Sequence, residues 1–257
     1  MSDPLVLRHD DENVAFLTLN HPQRRNALSV ELMQQLKRQL DDVRDDGSIR
    51  VVVLRANGPV FSSGHNLKEC YGQDAASYSQ IFSLCTELME AVRLLPQPVI
   101  AEVAGLATAA GCQLVATCDL VVASEDAQFA TPGVKIGLFC TTPGVAVARA
   151  IQPKKALEML LTGTAVSAET AQREGLVNRV VPADELERET VALAQQVARA
   201  SAKTVAIGKR AFYEQLQMTR PEAYAYASDV MVENLQEHDA QEGIEAFLQK
   251  RAPVWEN

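Results

Sequence analysis

The chain has 257 residues, 47% of them hydrophobic and 22% charged, with a net charge of −9. That length fits one large domain, or one domain with a small appendage, and such a chain buries about three-quarters of its unfolded surface without disulfide or metal staples. The acidic balance excludes a dedicated binder of nucleic acid or anionic membrane, since neither could draw on counterion release. It leaves room for an anionic small ligand held by a local basic patch.

The chain opens Met1-Ser2-Asp3-Pro4. No basic region precedes an apolar one there, so no signal peptide and a cytoplasmic location are expected. Alternating residues 5–9 and 14–20, split by Asp10-Asp11-Glu12-Asn13, predict a hairpin. After a loop over 21–28, Ser29 has the form of an N-cap. Val30, Met33, Leu36, Leu40 and Val43 follow at helical spacing, and Gly47 is the expected stop. Residues 49–54 predict a buried strand and 57–68 a loop. A second helix carries Ile81, Leu84, Leu88, Val92 and Leu95 on one face and ends at Pro96 and Pro98.

Further on, 99–103 predicts a strand, 109–117 a short helix and 120–124 a strand. Residues 133–142 form an irregular loop, and Pro143 stands at a helix start. Helices over 154–162 and 168–174 and a last strand over 177–181 complete the alternating part. Asp184 and Glu187 have capping-box form, and three more helical segments follow. The fold class is therefore α/β, with a core over 1–200 and a helical region over 201–257. The longest uncharged stretch, 103–118, is 16 residues and too polar to span a bilayer. Five cysteines, Cys70, Cys85, Cys112, Cys118 and Cys140, form no CxxC pair, which fits reduced thiols.

Several chemistries lack their motif. There is no G-x-G-x-x-G, no G-x-x-x-x-G-K-[ST], no H-E-x-x-H and no G-x-S-x-G, so no nucleotide cofactor, metal or serine nucleophile is expected. Two glycine-containing junctions stand out instead. One is Phe61-Ser62-Ser63-Gly64-His65-Asn66-Leu67-Lys68-Glu69. The other is Val103-Ala104-Gly105-Leu106-Ala107-Thr108-Ala109-Ala110-Gly111-Cys112-Gln113. Free backbone N–H groups at such places can hold an oxyanion; the plainer reading is a tight strand-to-helix turn at each.

At these residues the sequence resembles the crotonase superfamily, the enoyl-CoA hydratase/isomerase fold, over nearly its whole length. Supporting segments are Pro22-Gln23-Arg24-Arg25-Asn26-Ala27-Leu28, residues 61–69, 105–119 and 127–137 with Pro143-Gly144, and 243–251. The resemblance implies a spiral of ββα units with a helical C-terminal region that builds trimers, often paired into hexamers. It also implies an acyl-CoA thioester ligand, with coenzyme A entering as part of the substrate, and a place in acyl-CoA metabolism. The oxyanion-hole N–H groups fall on His65 and Ala110. Ala27, His65, Asn66, Leu67 and Lys68 line the adenine and acyl site. Arg24 and Arg25 meet CoA phosphates or are solvated loop charges. Phe247 and Lys250 lie where the family's C-terminal helix reaches toward CoA.

The family's hydratases use two glutamates, and their positions here hold Gln113 and Gly133. A third position that sometimes carries aspartate holds Thr141. An amide and a glycine move no proton, so classical hydration is expected to be weak or absent, and Gln113→Glu with Gly133→Glu is expected to raise it if residue 133 tolerates a side chain. His65 is the leading replacement group, against a plain hydrogen-bonded loop histidine. Cys140 is a lesser one, against an inert apolar thiol. Asp119 is expected to cap or pair, and Glu69 to face solvent. The rival reading is a non-catalytic acyl-CoA-binding scaffold. An RNA-binding variant would want a basic first helix, but Lys37, Arg38 and Arg44 are outnumbered there by Glu31, Asp41, Asp42, Asp45 and Asp46.

Overall fold

The computed structural model describes residues 4–256, so the reading made on Met1, Ser2 and Asp3 lies outside the described residues. Strands β1 (Val6–Asp11) and β2 (Val14–Leu19) form the expected hairpin, pairing Val6 with Leu19 and Asp11 with Val14. Parallel strands β3 (Val51–Ala56), β5 (Val99–Val103), β7 (Leu120–Ser124) and β10 (Arg179–Val181) extend it into a six-stranded sheet of order β1-β2-β3-β5-β7-β10. Four short strands, β4 (Val60–Ser62), β6 (Leu106–Thr108), β8 (Gln128–Ala130) and β9 (Val166–Ser167), make a second sheet in that order. Three times, through β3–β4, β5–β6 and β7–β8, the chain thus runs from the large sheet to the small one and on toward a helix, the expected ββα spiral.

Both faces of the large sheet are covered, which is why its strands read as continuous apolar runs. Ala15, Leu17, Val52, Leu54, Ala101 and Val121 face the main core with α1 (Val30–Arg44), α3 (Ala75–Leu94) and α4 (Ala110–Thr117). Val14, Phe16, Val51, Val53, Ile100 and Val122 face the other way, under Leu186, Leu193 and Ala194 of α8 (Leu186–Ala198). The Ser29 side chain accepts from the Leu32 N–H, confirming the first helix start. Helices α2 (Leu67–Cys70), α5 (Thr141–Ala150), α6 (Pro153–Thr162) and α7 (Ala168–Glu174) fill the turns. The three closing helices are α9 (Ala202–Gln215), α10 (Arg220–Gln236) and α11 (His238–Gln249).

Several local expectations are corrected. The loop over 57–68 contains β4. The loop over 133–142 begins as a 3₁₀ turn, Pro132–Ile136, and gives way to α5 at Thr141. Helix α1 ends at Arg44, ahead of Gly47, in a turn where the Ile49 N–H donates to the Asp46 carbonyl. Asp184 lies in a 3₁₀ turn and no box forms with Glu187; the capping box is Thr219 with Glu222 on α10.

Asp119 pairs, as expected. It accepts from Lys209 Nζ at 2.6 Å, Tyr213 Oη at 2.8 Å and the Val99 N–H at 2.7 Å, which ties α9 to the core. Glu69 is half-buried and bonded rather than free in solvent. Its carboxylate accepts from the Val30 N–H at 2.9 Å and from Asn66 Nδ2 at 3.0 Å, so it satisfies the start of α1.

Candidate functional site

The site begins where β4 ends. Ser62 Oγ donates to the Asn26 carbonyl at 2.8 Å and accepts from the Gly64 N–H at 3.3 Å. Gly64 has φ +83°, and a methyl carbon there would lie 2.8 Å from Ala109 Cβ and 3.1 Å from Ala110 N. Only glycine lets the first junction touch the second this closely. Gly111 does the same from the other side, with the Ser62 carbonyl 2.5 Å from where its Cβ would stand. The two junctions named from sequence are therefore one structure.

Ala109 completes the turn into α4 with φ +52° and ψ −120°, a costly conformation for alanine. Its N–H donates to the Ala130 carbonyl at 2.9 Å. The next N–H, of Ala110, opens α4 and has no acceptor among the described residues. The N–H of His65 has none either, because the bridge to Leu28 uses Gly64 O and the Asn66 N–H. Two unspent main-chain donors thus sit on adjoining turns.

Asn26, fully buried with φ +49°, holds the loop before them. Its Oδ1 accepts from the His21 N–H at 2.8 Å, and its Nδ2 donates to the carbonyls of Asn57 and Val60 at 2.9 and 2.8 Å. Sequence reading placed Asn26 in a motif but gave it no role. An asparagine, a residue that tolerates the left-handed region and bonds locally to backbone, next to two arginines in a loop was the available signal.

A cleft of about 780 Å³ lies against these turns. Ala27, His65, Asn66, Leu67, Lys68, Ala110, Gly133 and Cys140 all line it. Arg24 and Arg25 are exposed on the loop beside Ala27 but do not line the cleft, and neither do Gln113, Phe247 or Lys250. Phe247 is 82% exposed on α11. The wall opposite the turns adds Tyr78 and Phe82 of α3 with Lys135, Ile136, Leu138 and Phe139, which sequence reading missed. Phe82 falls off the apolar stripe of its helix, and Lys135 is a cation in a glycine-flanked loop; both were readable signals.

No carboxylate lines the cleft among the described residues. Gly133 is buried, and its N–H donates to Cys140 Sγ at 3.3 Å. A side chain at 133 would start 2.5 Å from the Leu138 carbonyl, so the position does not tolerate the glutamate considered above. Gln113 lies inside α4, where its Oε1 has no hydrogen-bond partner. Burial raises the Cys140 thiol above its ordinary range, against the Gly133 N–H, which keeps it a protonated thiol at neutral pH. Burial lowers the His65 pKa, with Glu69 opposing, so its imidazole is neutral at pH 7. The ring stands edge-on to Phe82 at 5.2 Å, and Nε2 is buried without a partner. A buried polar atom left unpaired costs roughly 1–3 kcal/mol.

Residues 9–257 match the model of the enoyl-CoA hydratase/isomerase family. The chain belongs to that family. It is 50% identical over 255 residues to enoyl-CoA hydratase domain-containing protein 3, mitochondrial, of Xenopus laevis, covering 98% of this chain and 86% of the relative. The human protein of the same name is 48% identical over 245 residues, covering 95% and 81%. Among solved structures, human enoyl coenzyme A hydratase domain-containing protein 3 superposes with a TM-score of 0.96 at 47% identity, covering 98% of this chain and 100% of that one. An enoyl-CoA hydratase of Mycobacterium smegmatis gives 0.96 and 47%, covering 98% and 99%. These superpositions establish the crotonase fold for the family member described here. The expectation of a cytoplasmic chain is overturned: the Xenopus, rat and human relatives are named mitochondrial.

Proposed function

We propose that the chain binds an acyl-CoA thioester and holds its carbonyl oxygen between the N–H groups of His65 and Ala110. The observation that carries this reading is the contact of Gly64 with Ala109 and Ala110, which sets two unspent donors on adjoining turns at one cleft wall. The start of α4 adds the positive end of its dipole at Ala110. Such donors suit the negative charge that a thioester carbonyl develops in an enolate. Phe82, Ile136, Leu138 and Phe139 offer an apolar surface to the acyl chain, and Lys68 and Lys135 offer cations to the phosphates.

Classical hydration is weak or absent in this reading. It needs one group to take a proton from water and one to deliver a proton to carbon, and positions 113 and 133 hold an amide and a glycine. The lack of any carboxylate in the cleft among the described residues equally favours a non-catalytic thioester-binding scaffold. Calorimetry with butyryl-CoA and with free CoA tests the binding. Tighter binding of the thioester is expected, since only it presents the carbonyl; equal binding overturns the reading.

A further inference from the structure

We propose that Glu102 and Arg55 form a proton-operated clamp between the large sheet and the start of α8. The α8 face of the sheet is apolar through Phe16, Val53, Ile100 and Val122. Two residues further along β2, β3 and β5, the same face turns polar at Thr18, Arg55 and Glu102. The register sets Thr18 beside Arg55. Arg55 lies one step past the Leu54–Ala101 pair and so beside Glu102, and Glu102 lies beside Val122, which adjoins Arg179 of β10.

One atom of this row has no partner. Oε2 of Glu102 is buried and takes part in no hydrogen bond. Arg55 does not supply one. Its Nε donates to Thr18 Oγ1 at 3.2 Å, its Nη1 donates to Glu187 Oε1 of α8 at 2.8 Å, and its guanidinium lies over the Phe16 ring at 4.9 Å. One guanidinium thus stands near two carboxyl groups and is bonded to the exposed one, Glu187, which water already solvates. The buried one favours its proton. Burial pushes the Glu102 carboxyl above the ordinary 4.5, against Arg55, and Glu187 adds to the rise.

The proton decides what holds α8. Thr190, fully buried on α8, is the hydrogen-bonding neighbour of Glu102. Its one hydroxyl hydrogen goes to the Leu186 carbonyl at 2.8 Å, which leaves lone pairs for Glu102. A protonated carboxyl donates to Thr190 Oγ1 and joins β5 to α8, while Arg55 joins β3 to Glu187. Loss of the proton removes the first bond, because a carboxylate only accepts. It also draws Arg55 inward, off Glu187, so the two ties weaken together. A carboxyl raised on folding keeps its contribution at low pH and loses it as pH rises through the folded value.

The other charged groups nearby are Arg179 on β10, paired with Glu189 of α8 at 3.8 Å, and Arg188, turned to Glu185 and Glu189 at 3.1 Å. On β1, His9 stacks against Phe16. The far end of α8 is held independently. Arg50 Nη1 donates to the Ala198 carbonyl at 3.2 Å and the Trp255 indole N–H to the Arg199 carbonyl at 2.8 Å. The clamp therefore frees the start of α8 and the 3₁₀ turn Ala183–Glu185 before it, and leaves the end in place.

The test is amide hydrogen exchange on the full chain, read by mass spectrometry from about pH 5 to about pH 9 and corrected for the intrinsic pH dependence. Residues 183–193 should lose roughly threefold to tenfold in protection, in a single step above pH 4.5, while residues 194–200 stay unchanged. Glu102→Gln, whose amide donates to Thr190 at every pH, should hold the protected level throughout. Glu187→Gln removes the competitor for Arg55 and should move the step to lower pH. Thr190→Val removes the acceptor and should leave 183–193 weakly protected at both ends of the range. Protection independent of pH in the native chain, a step that persists in Glu102→Gln, or a step that stays in place in Glu187→Gln overturns the clamp. If Glu102→Gln does not fold, the position of the step in Glu187→Gln decides.

Discussion

Gly133 donates its N–H to the Cys140 thiol 3.3 Å away, and this contact closes the corner of the cleft where a side chain on residue 133 would begin. A methyl carbon there would stand 2.8 Å from Cys140 Sγ, which can rotate away, and 2.5 Å from the Leu138 carbonyl, which cannot. Overpacking of this kind costs about 1–3 kcal/mol. Gly133→Ala and Gly133→Glu should therefore lower Tm by roughly 2–10 °C in a thermal melt. Gln113→Glu with Gly133→Glu should gain no crotonyl-CoA hydratase activity. A stable double variant with clear hydration would show that the Leu138 carbonyl yields.

Asn26→Ala removes three hydrogen bonds, one within the loop carrying Ala27 and two that join that loop to the segment before Gly64. The His21 N–H and the Asn57 and Val60 carbonyls lose their partner, at about 1–3 kcal/mol for each group left buried and unpaired. The alanine must also hold a φ of +49°. A lower denaturant midpoint and loss of thioester affinity at temperatures where the protein remains folded are expected. Native affinity in the folded variant would mean that Asn26 does not position the site.

Much of this was legible in the chain. Strands β5 and β7 and helix α7 were bounded to the residue, because β-branched runs buried on both faces and a Ser167 cap leave a strong local signature. The short strands β4, β6, β8 and β9 were not, since two or three residues carry no period and pair only across the spiral. Within the site, the family's motifs pointed to His65 and Ala110, whose N–H groups have no acceptor among the described residues. They could not reveal that Gln113 turns away from the cleft lining, that Glu69 is spent on Val30 and Asn66, or that Nε2 of His65 is left unpaired. Each of those facts depends on which element packs opposite.

The C-terminal strap has its own acid sensitivity. Glu242 accepts from Arg251 at 2.6 and 2.8 Å and from the Val254 N–H at 2.8 Å. The Arg251 guanidinium, with the Val254 N–H, holds its carboxyl at about 2, below the ordinary 4.5. A depressed carboxylate stabilises the fold above its unfolded value and loses that contribution as pH falls through the folded one. Trp255, the single tryptophan, sits on this strap with its indole N–H donating to the Arg199 carbonyl at 2.8 Å. Its emission should shift to the red between pH 4.5 and 2, and Glu242→Gln should show the shifted emission already at neutral pH. Emission that changes only with global loss of ellipticity would contradict this.

The closing helices leave Phe212, Leu216, Met231, Phe247 and Leu248 between 57% and 82% exposed. Apolar side chains of this size in such number on α9–α11 favour burial against further copies of the chain. Sedimentation velocity at micromolar concentration should show a trimer or hexamer. A clean monomer would contradict that assembly.

The paired donors of His65 and Ala110 are tested most directly by calorimetry with butyryl-CoA and its S-butyl thioether, which matches the acyl chain in length but lacks the carbonyl oxygen. Two hydrogen bonds at about 0.5–1.5 kcal/mol each correspond to an affinity ratio of roughly 10-fold or more. The expected result is a thioester that binds about that much more tightly than the thioether. Equal affinity would mean that no carbonyl oxygen sits between the two turns.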